Sequence, residues 1–125
     1  MLIDPGTMPF NFNEFGVAGD SFKSLLVLKR EFGYPVGLAP INLVESWSWL
    51  KKRKENKSYE GIYGGFLASL CGMAQFCGAS YLIYGVIDRA EQVIPVIAAN
   101  DKLISEGMAY FGVNPDSKEH PRYKV

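Results

Sequence analysis

Few residues in this chain are of the types that carry chemistry, and their spacing argues against most reactions. His120 is the sole histidine. A Ser-His-Asp mechanism would have to run through it, from the polar segment 114–122, which predicts irregular structure. Cys71 and Cys77 are the two cysteines. On one helix they stand about 9 Å apart along the axis and on different sides. They cannot bridge each other there, and no histidine or acid joins them at metal-ligand spacing. They read as small packing residues. Gly72 to Gly78 is not followed by the Lys-Ser or Lys-Thr of a phosphate loop. Asp88, Arg89 and Glu91 form a charged group suited to ending an apolar stretch and pairing with a neighbour. These readings predict a protein that is not an enzyme, with no catalytic residue, no metal and no cofactor beyond a bound phospholipid.

The second candidate chemistry is adhesion. Lys51, Lys52, Arg53 and Lys54, with Lys57 beyond them, follow directly on Trp47 and Trp49. Trp is enriched where membrane meets water, and long cationic side chains reach lipid headgroups. The six residues from Trp47 to Arg53 and Lys54 are read as a headgroup interface. Their position favours lipid over nucleic acid.

The element that would position all of this is an uncharged run of 27 residues, Gly61 to Ile87. About 20 mostly apolar residues suffice for a helix to cross a bilayer. Five cations and two acids lie between Lys51 and Glu60, against two cations and four acids from Asp88 to Glu106. That asymmetry places the N-terminal half on the inner side. Gly61, Gly64, Gly65, Ala68, Gly72, Gln75 and Ala79 fall on one face of such a helix. Small residues let helices approach closely, and the Gln75 amide adds an interhelical hydrogen bond. The stripe is read as a packing face for another membrane helix.

The flanks are read as short elements. Phe10, Phe12 and Phe15 alternate with polar residues in an extended arm. Asp20 or Ser21 caps a helix that carries Phe22, Leu25, Leu26 and Phe32 and stops at Gly33. Pro40 opens a second helix over 41–55, lying along the membrane surface. Pro95 kinks or restarts a helix after the span, and Gly112 ends it. The expected fold is an all-α membrane protein with a single transmembrane helix at about 61–87, between short amphipathic helices and extended arms. Its segments are 1–57, 58–92 and 93–125.

The 125 residues carry 13 basic and 13 acidic side chains, so no overall charge calls for an anionic polymer as partner. Met1 to Gly6 shows neither a secretory signal nor a transit-peptide pattern. The composite expectation is a non-catalytic accessory subunit of a large hetero-oligomeric membrane complex. Its partners would be the bilayer and other membrane subunits. The mitochondrial inner membrane is the expected site, with the N-terminus on the matrix side, in a respiratory complex or ATP synthase; a thylakoid membrane is the alternative. A small transport component and a soluble helical interaction module are the competing readings.

Overall fold

The computed structural model describes residues 1–10 and 17–125. Phe12 and Phe15 lie outside the described residues.

The uncharged run is not one helix. It supplies α4 (Tyr59–Phe76), a turn, a strand and a loop. The helix has 18 residues and ends on Cys77. Gly78 follows at φ 85°, a left-handed conformation that reverses the chain. Residues Tyr81–Leu82 then form β2, which pairs in parallel with β1 (Gly37–Leu38). Among the described residues, no helix is long and apolar enough to cross a membrane. The single span, the all-α membrane fold and the inside–outside orientation fall together. The physical reason is that the half-buried strand β2 and the turn and loop around it carry no more charge than the helix before them. Joined to a buried helix, they imitate a longer helix.

Parallel pairing extends further. Ile3 bridges Val36 in parallel, with Ile3 N–H donating to Pro35 O at 2.9 Å and Gly37 N–H donating to Ile3 O at 3.0 Å. Ser80 N–H donates to Val36 O at 2.7 Å, and Ile83 N–H to Leu38 O at 2.9 Å. Three strand segments thus stand side by side in chain order: Ile3, then β1, then β2. Helical crossovers join them. The first contains α1 (Asp20–Phe32). The second contains α2 (Ile41–Ser46), α3 (Ser48–Lys51) and α4. The helix α5 (Ala90–Ala109) follows β2, and α6 (Pro121–Lys124) comes after it.

Right-handed crossovers between strands in this order place their helices on one side of the sheet. The core agrees. Val36 and Leu38 pack with Leu25 of α1, Leu67, Leu70, Cys71 and Ala74 of α4, and Val93 of α5. Full burial of each large aliphatic side chain contributes about 1.5–3 kcal/mol.

Local signals explain α1. Gly33 sits at φ 68° and returns its N–H to Lys29 O at 3.0 Å. Asp20 lies in the first turn, and Gly19 holds the cap position. The surface helix expected over 41–55 is two short helices, broken at extended Trp47. Pro95 is inside α5, which continues past it.

Candidate functional site at the carboxyl ends of the strands

Ligands of parallel α/β folds bind where strands end and helices begin. Here that edge is built from residues 4–7 after Ile3, 39–42 after β1 and 83–88 after β2. Cross-links fix the three loops. Ala39 N–H donates to Thr7 Oγ1 at 2.9 Å. Ser21 Oγ–H donates to Gly6 O at 2.9 Å, and Phe10 N–H donates to Ser46 Oγ at 2.7 Å. Gly85, at φ 107°, abuts Ile41; a β-carbon there would stand 2.8 Å from Ile41 Cγ1. Exposed polar side chains on this edge are Asp4, whose Oδ1 accepts from Gly6 N–H at 2.8 Å, Asn42, in the first turn of α2, and Asp88, in the loop after β2.

Behind the loops stands a charged and aromatic cluster that fastens the helix starts together. The Tyr63 hydroxyl donates to Glu45 Oε1, joining α4 to α2. Arg89, just ahead of α5, donates to Glu60 Oε2 in the first turn of α4 and lies 4.2 Å from the centre of the Tyr63 ring. Arg89 also reaches Gln92 Oε1 at 3.3 Å. Burial raises the Tyr63 phenol above its ordinary value, and the bond to Glu45 and that carboxylate's charge add to the shift. The hydroxyl is therefore held protonated and already committed. The bond from Arg89 lowers the Glu60 carboxyl, and the same bond raises Arg89. This cluster joins α2, α4 and the start of α5 behind the loops.

The small-residue stripe faces elsewhere. Gly64 and Gly72 lie against α5 of the same chain: added β-carbons would meet Gln92 Oε1 at 2.6 Å and Asn100 Nδ2 at 2.9 Å. Ala68 is buried one turn from each. Gln75 Nε2 donates to Ile97 O at 3.0 Å and Asp101 Oδ1 at 2.7 Å, and its Oε1 accepts from Asn100 at 3.1 Å. Gly61 and Gly65 face open space. Ala79 lies in the turn before β2 and lines a cleft of about 320 Å³ beside that strand.

Trp47 and Trp49 stack at 5.0 Å, and Phe10 and Phe66 pack on Trp47 at 5.7 and 4.9 Å. The Arg53 guanidinium lies 3.8 Å over the Trp49 ring and donates to Trp49 O at 2.9 Å. Lys51, at the end of α3, and Lys52 and Lys54, just after it, are exposed. Among the described residues, no group of three His, Cys, Asp or Glu could hold a metal ion.

Sequence reasoning did not single out Asp4, Asn42, Glu45, Glu60 or Tyr63, and took Arg89 for a contact to another subunit. One signal was available: Val36-Gly37-Leu38 followed by Ala39-Pro40 and a helix is a strand–turn–helix pattern.

The chain is thus an α/β protein built of successive parallel strand–helix units, with polar side chains gathered at the strand ends. It belongs to the family described as the tetrahydromethanopterin S-methyltransferase MtrH subunit, whose model matches residues 1–116. It is similar to the MtrH subunit of the Methanopyrus kandleri tetrahydromethanopterin S-methyltransferase, 37% identical over 96% of this chain and 38% of that protein. The Methanosarcina barkeri MtrH subunit is 31% identical, over 99% of this chain and 39% of the relative. The corresponding subunit of a putative mtx methyltransferase from the same species is 32% identical, over 96% and 36%. The chain therefore spans somewhat over a third of the length of the curated relatives it matches.

These findings overturn the expectation of a non-catalytic accessory subunit in mitochondria or thylakoids. The family is that of a methyltransferase subunit, and its members occur in methanogens, which have neither organelle. The respiratory-chain reading goes with it.

Proposed function

We propose that this chain forms part of a methyltransferase that handles methylated tetrahydromethanopterin, within a hetero-oligomeric complex. The observation that carries the reading is the family match over residues 1–116. The loop edge supports it, because the polar groups stand where parallel α/β folds hold ligands. In such a transfer the methyl group leaves a pterin nitrogen for a thiol acceptor: a C–N and an S–H bond break, a C–S bond forms, and the nitrogen takes the proton that the thiol gives up. Asp4 and Asn42 are the side chains assigned to meet the pterin. Glu45, Tyr63, Glu60 and Arg89 hold the loops that carry them.

The test uses the protein purified from its own cells with whatever accompanies it. Tetrahydromethanopterin should quench its tryptophan fluorescence saturably. Asn42→Ala should weaken that binding by roughly tenfold, the order of one lost hydrogen bond, with unchanged thermal unfolding. Absence of binding by the wild-type protein would sink the reading.

A further inference from the structure

The turn from α3 to α4 carries consecutive cations, Lys51, Lys52, Arg53 and Lys54. With Glu55 and Asn56 they line a hollow of about 470 Å³. One carboxylate thus shares it with all those positive side chains. Among the described residues none of these cations makes an ion pair; the salt bridges there join Lys23 to Asp20, Arg89 to Glu60 and Lys124 to Glu119. Like charges gathered around one hollow repel each other, and an anion between them relieves the repulsion.

Two of the lining groups are held in place. The Arg53 guanidinium rests 3.8 Å from the centre of the Trp49 ring and spends one N–H on Trp49 O. Its other N–H groups remain as donors. Asn56 Oδ1 accepts from Ser58 N–H at 3.0 Å and from Ser58 Oγ–H at 2.8 Å. Its acceptor is therefore spent, and its amide N–H groups are left as donors. Asn56 N–H donates to Arg53 O at 2.9 Å and closes the turn beneath them. The exposed lysines add ammonium donors on flexible stems that can close on a ligand.

Donors in excess around a positive hollow select phosphate. Its oxygens take several N–H bonds at once, and a guanidinium meets two of them as a fork. One phosphate monoester carries about −1.5 to −2 charge near neutral pH, so this set of cations suits two adjacent phosphates. The rings beside it are already engaged. Trp49 stacks on Trp47 and carries Arg53, and Trp47 also packs with Phe10 and Phe66. A nucleobase would have to displace Arg53 to stack there, so the phosphates are what the turn reads.

We infer that the α3–α4 turn binds adjacent phosphate groups, carried by a soluble polyphosphate or by crowded phosphate headgroups of lipid. Arg53, oriented by Trp49, makes the forked contact, and Lys51, Lys52 and Lys54 neutralise the charge. The inference rests on this turn alone, and on neither the family nor the pterin reading.

The test titrates inorganic pyrophosphate into the full chain by calorimetry and follows tryptophan emission in parallel. Saturable binding, one per chain, is expected, with altered emission because Arg53 lies on Trp49. Adenosine diphosphate should bind no more tightly than pyrophosphate. Arg53→Lys keeps the charge but loses the fork and the ring contact, and should weaken binding roughly tenfold. Diffuse attraction to a cationic patch would leave that variant like wild type. The double variant Lys52→Gln, Lys54→Gln alters exposed side chains only; it should keep the circular dichroism and also bind severalfold more weakly. It decides the matter if Arg53→Lys does not fold. Lys23→Gln, on α1, should bind as wild type does. Co-sedimentation with phosphatidylcholine vesicles, with and without phosphatidic acid, separates the sources. Sedimentation that requires phosphatidic acid and is displaced by pyrophosphate assigns the headgroups; pyrophosphate binding without sedimentation assigns the soluble ligand. No saturable binding of either probe, or unchanged binding by the folded variants, would overturn the inference.

Discussion

Tyr81 lies across Gly37 on the neighbouring strand and donates its hydroxyl to Ile3 O, one strand further, at 3.0 Å. The contact exists because residue 37 has no side chain. A β-carbon there would stand 2.3 Å from Tyr81 O and 2.7 Å from the ring. One tyrosine thereby ties the three strands together across the face opposite Leu38.

Gly37→Ala should therefore be costly. The obstacle includes backbone, which cannot swing aside, so the strands must separate. The expected loss is about 3 kcal/mol, the upper range for overpacking. Gly64→Ala makes a similar nominal clash, at 2.6 Å, but with the far end of the Gln92 side chain. That side chain can turn away, and alanine recovers about 1 kcal/mol of helix propensity. Gly64→Ala should fall within about 1 kcal/mol of wild type. Urea midpoints of the two variants decide the matter; equal losses would mean that the sheet, not the helix face, gives way.

Tyr63 makes a second separable contribution. Tyr63→Phe keeps the ring under Arg89 and removes only the bond to Glu45. Because Glu45 is exposed and can turn to water, the cost should be about 1 kcal/mol. Tyr63→Leu also loses the ring beneath the Arg89 guanidinium and should cost more. A double-mutant cycle of Tyr63→Phe with Glu45→Gln should show coupling of similar size, and zero coupling would remove the α2–α4 fastening.

How much of this was legible depends on the range of the interaction. The extent of α1 and its stop at Gly33 follow from local signals, an apolar period and a glycine that adopts φ 68°. The boundary between α4 and β2 carried no such signal. Cys77, Gly78 and Ala79 are as uncharged as their neighbours, and the turn is visible only through the positive φ of Gly78. Gln75 and the glycines near it were read as meeting a membrane helix of another subunit; Gly64, Gly72 and Gln75 instead meet α5 of the same chain, and Gly61 and Gly65 face open space. The site was less accessible still. Tyr63 and Glu45 are 18 residues apart, and Arg89 and Glu60 are 29 apart. No spacing rule links them; only the strand order brings the helix starts together.

The Glu60–Arg89 pair makes stability depend on acid. The Glu60 carboxyl sits below its usual 4.5, chiefly through the hydrogen bond from Arg89 and further through that charge, with desolvation opposing. A carboxyl lowered by folding stabilises above its unfolded pKa, and the contribution disappears as pH falls through the folded value. Wild type should thus unfold at a higher temperature than Glu60→Gln near neutral pH, and the gap should close as pH falls from the usual 4.5 through the lowered folded value. Glu60 is exposed, so the gap should also shrink in salt. A gap independent of pH would show that the glutamine acts by another route.

The cysteines test the packing of α4 directly. Cys71 is fully buried against the sheet, and burial pushes its thiol up to about 11. Cys77, at the end of the same helix, is half-buried. The thiolate is the reactive form, so Cys71 is protected twice, by access and by protonation. Iodoacetamide at about pH 8 should modify Cys77 in the folded protein and leave Cys71 intact. Cys71 should react only as fast as the core opens, and denaturant should bring the two rates together. Peptide mass spectrometry over a time course reads both positions in one sample. Equal rates in the folded protein would mean that α4 does not stay docked on the sheet.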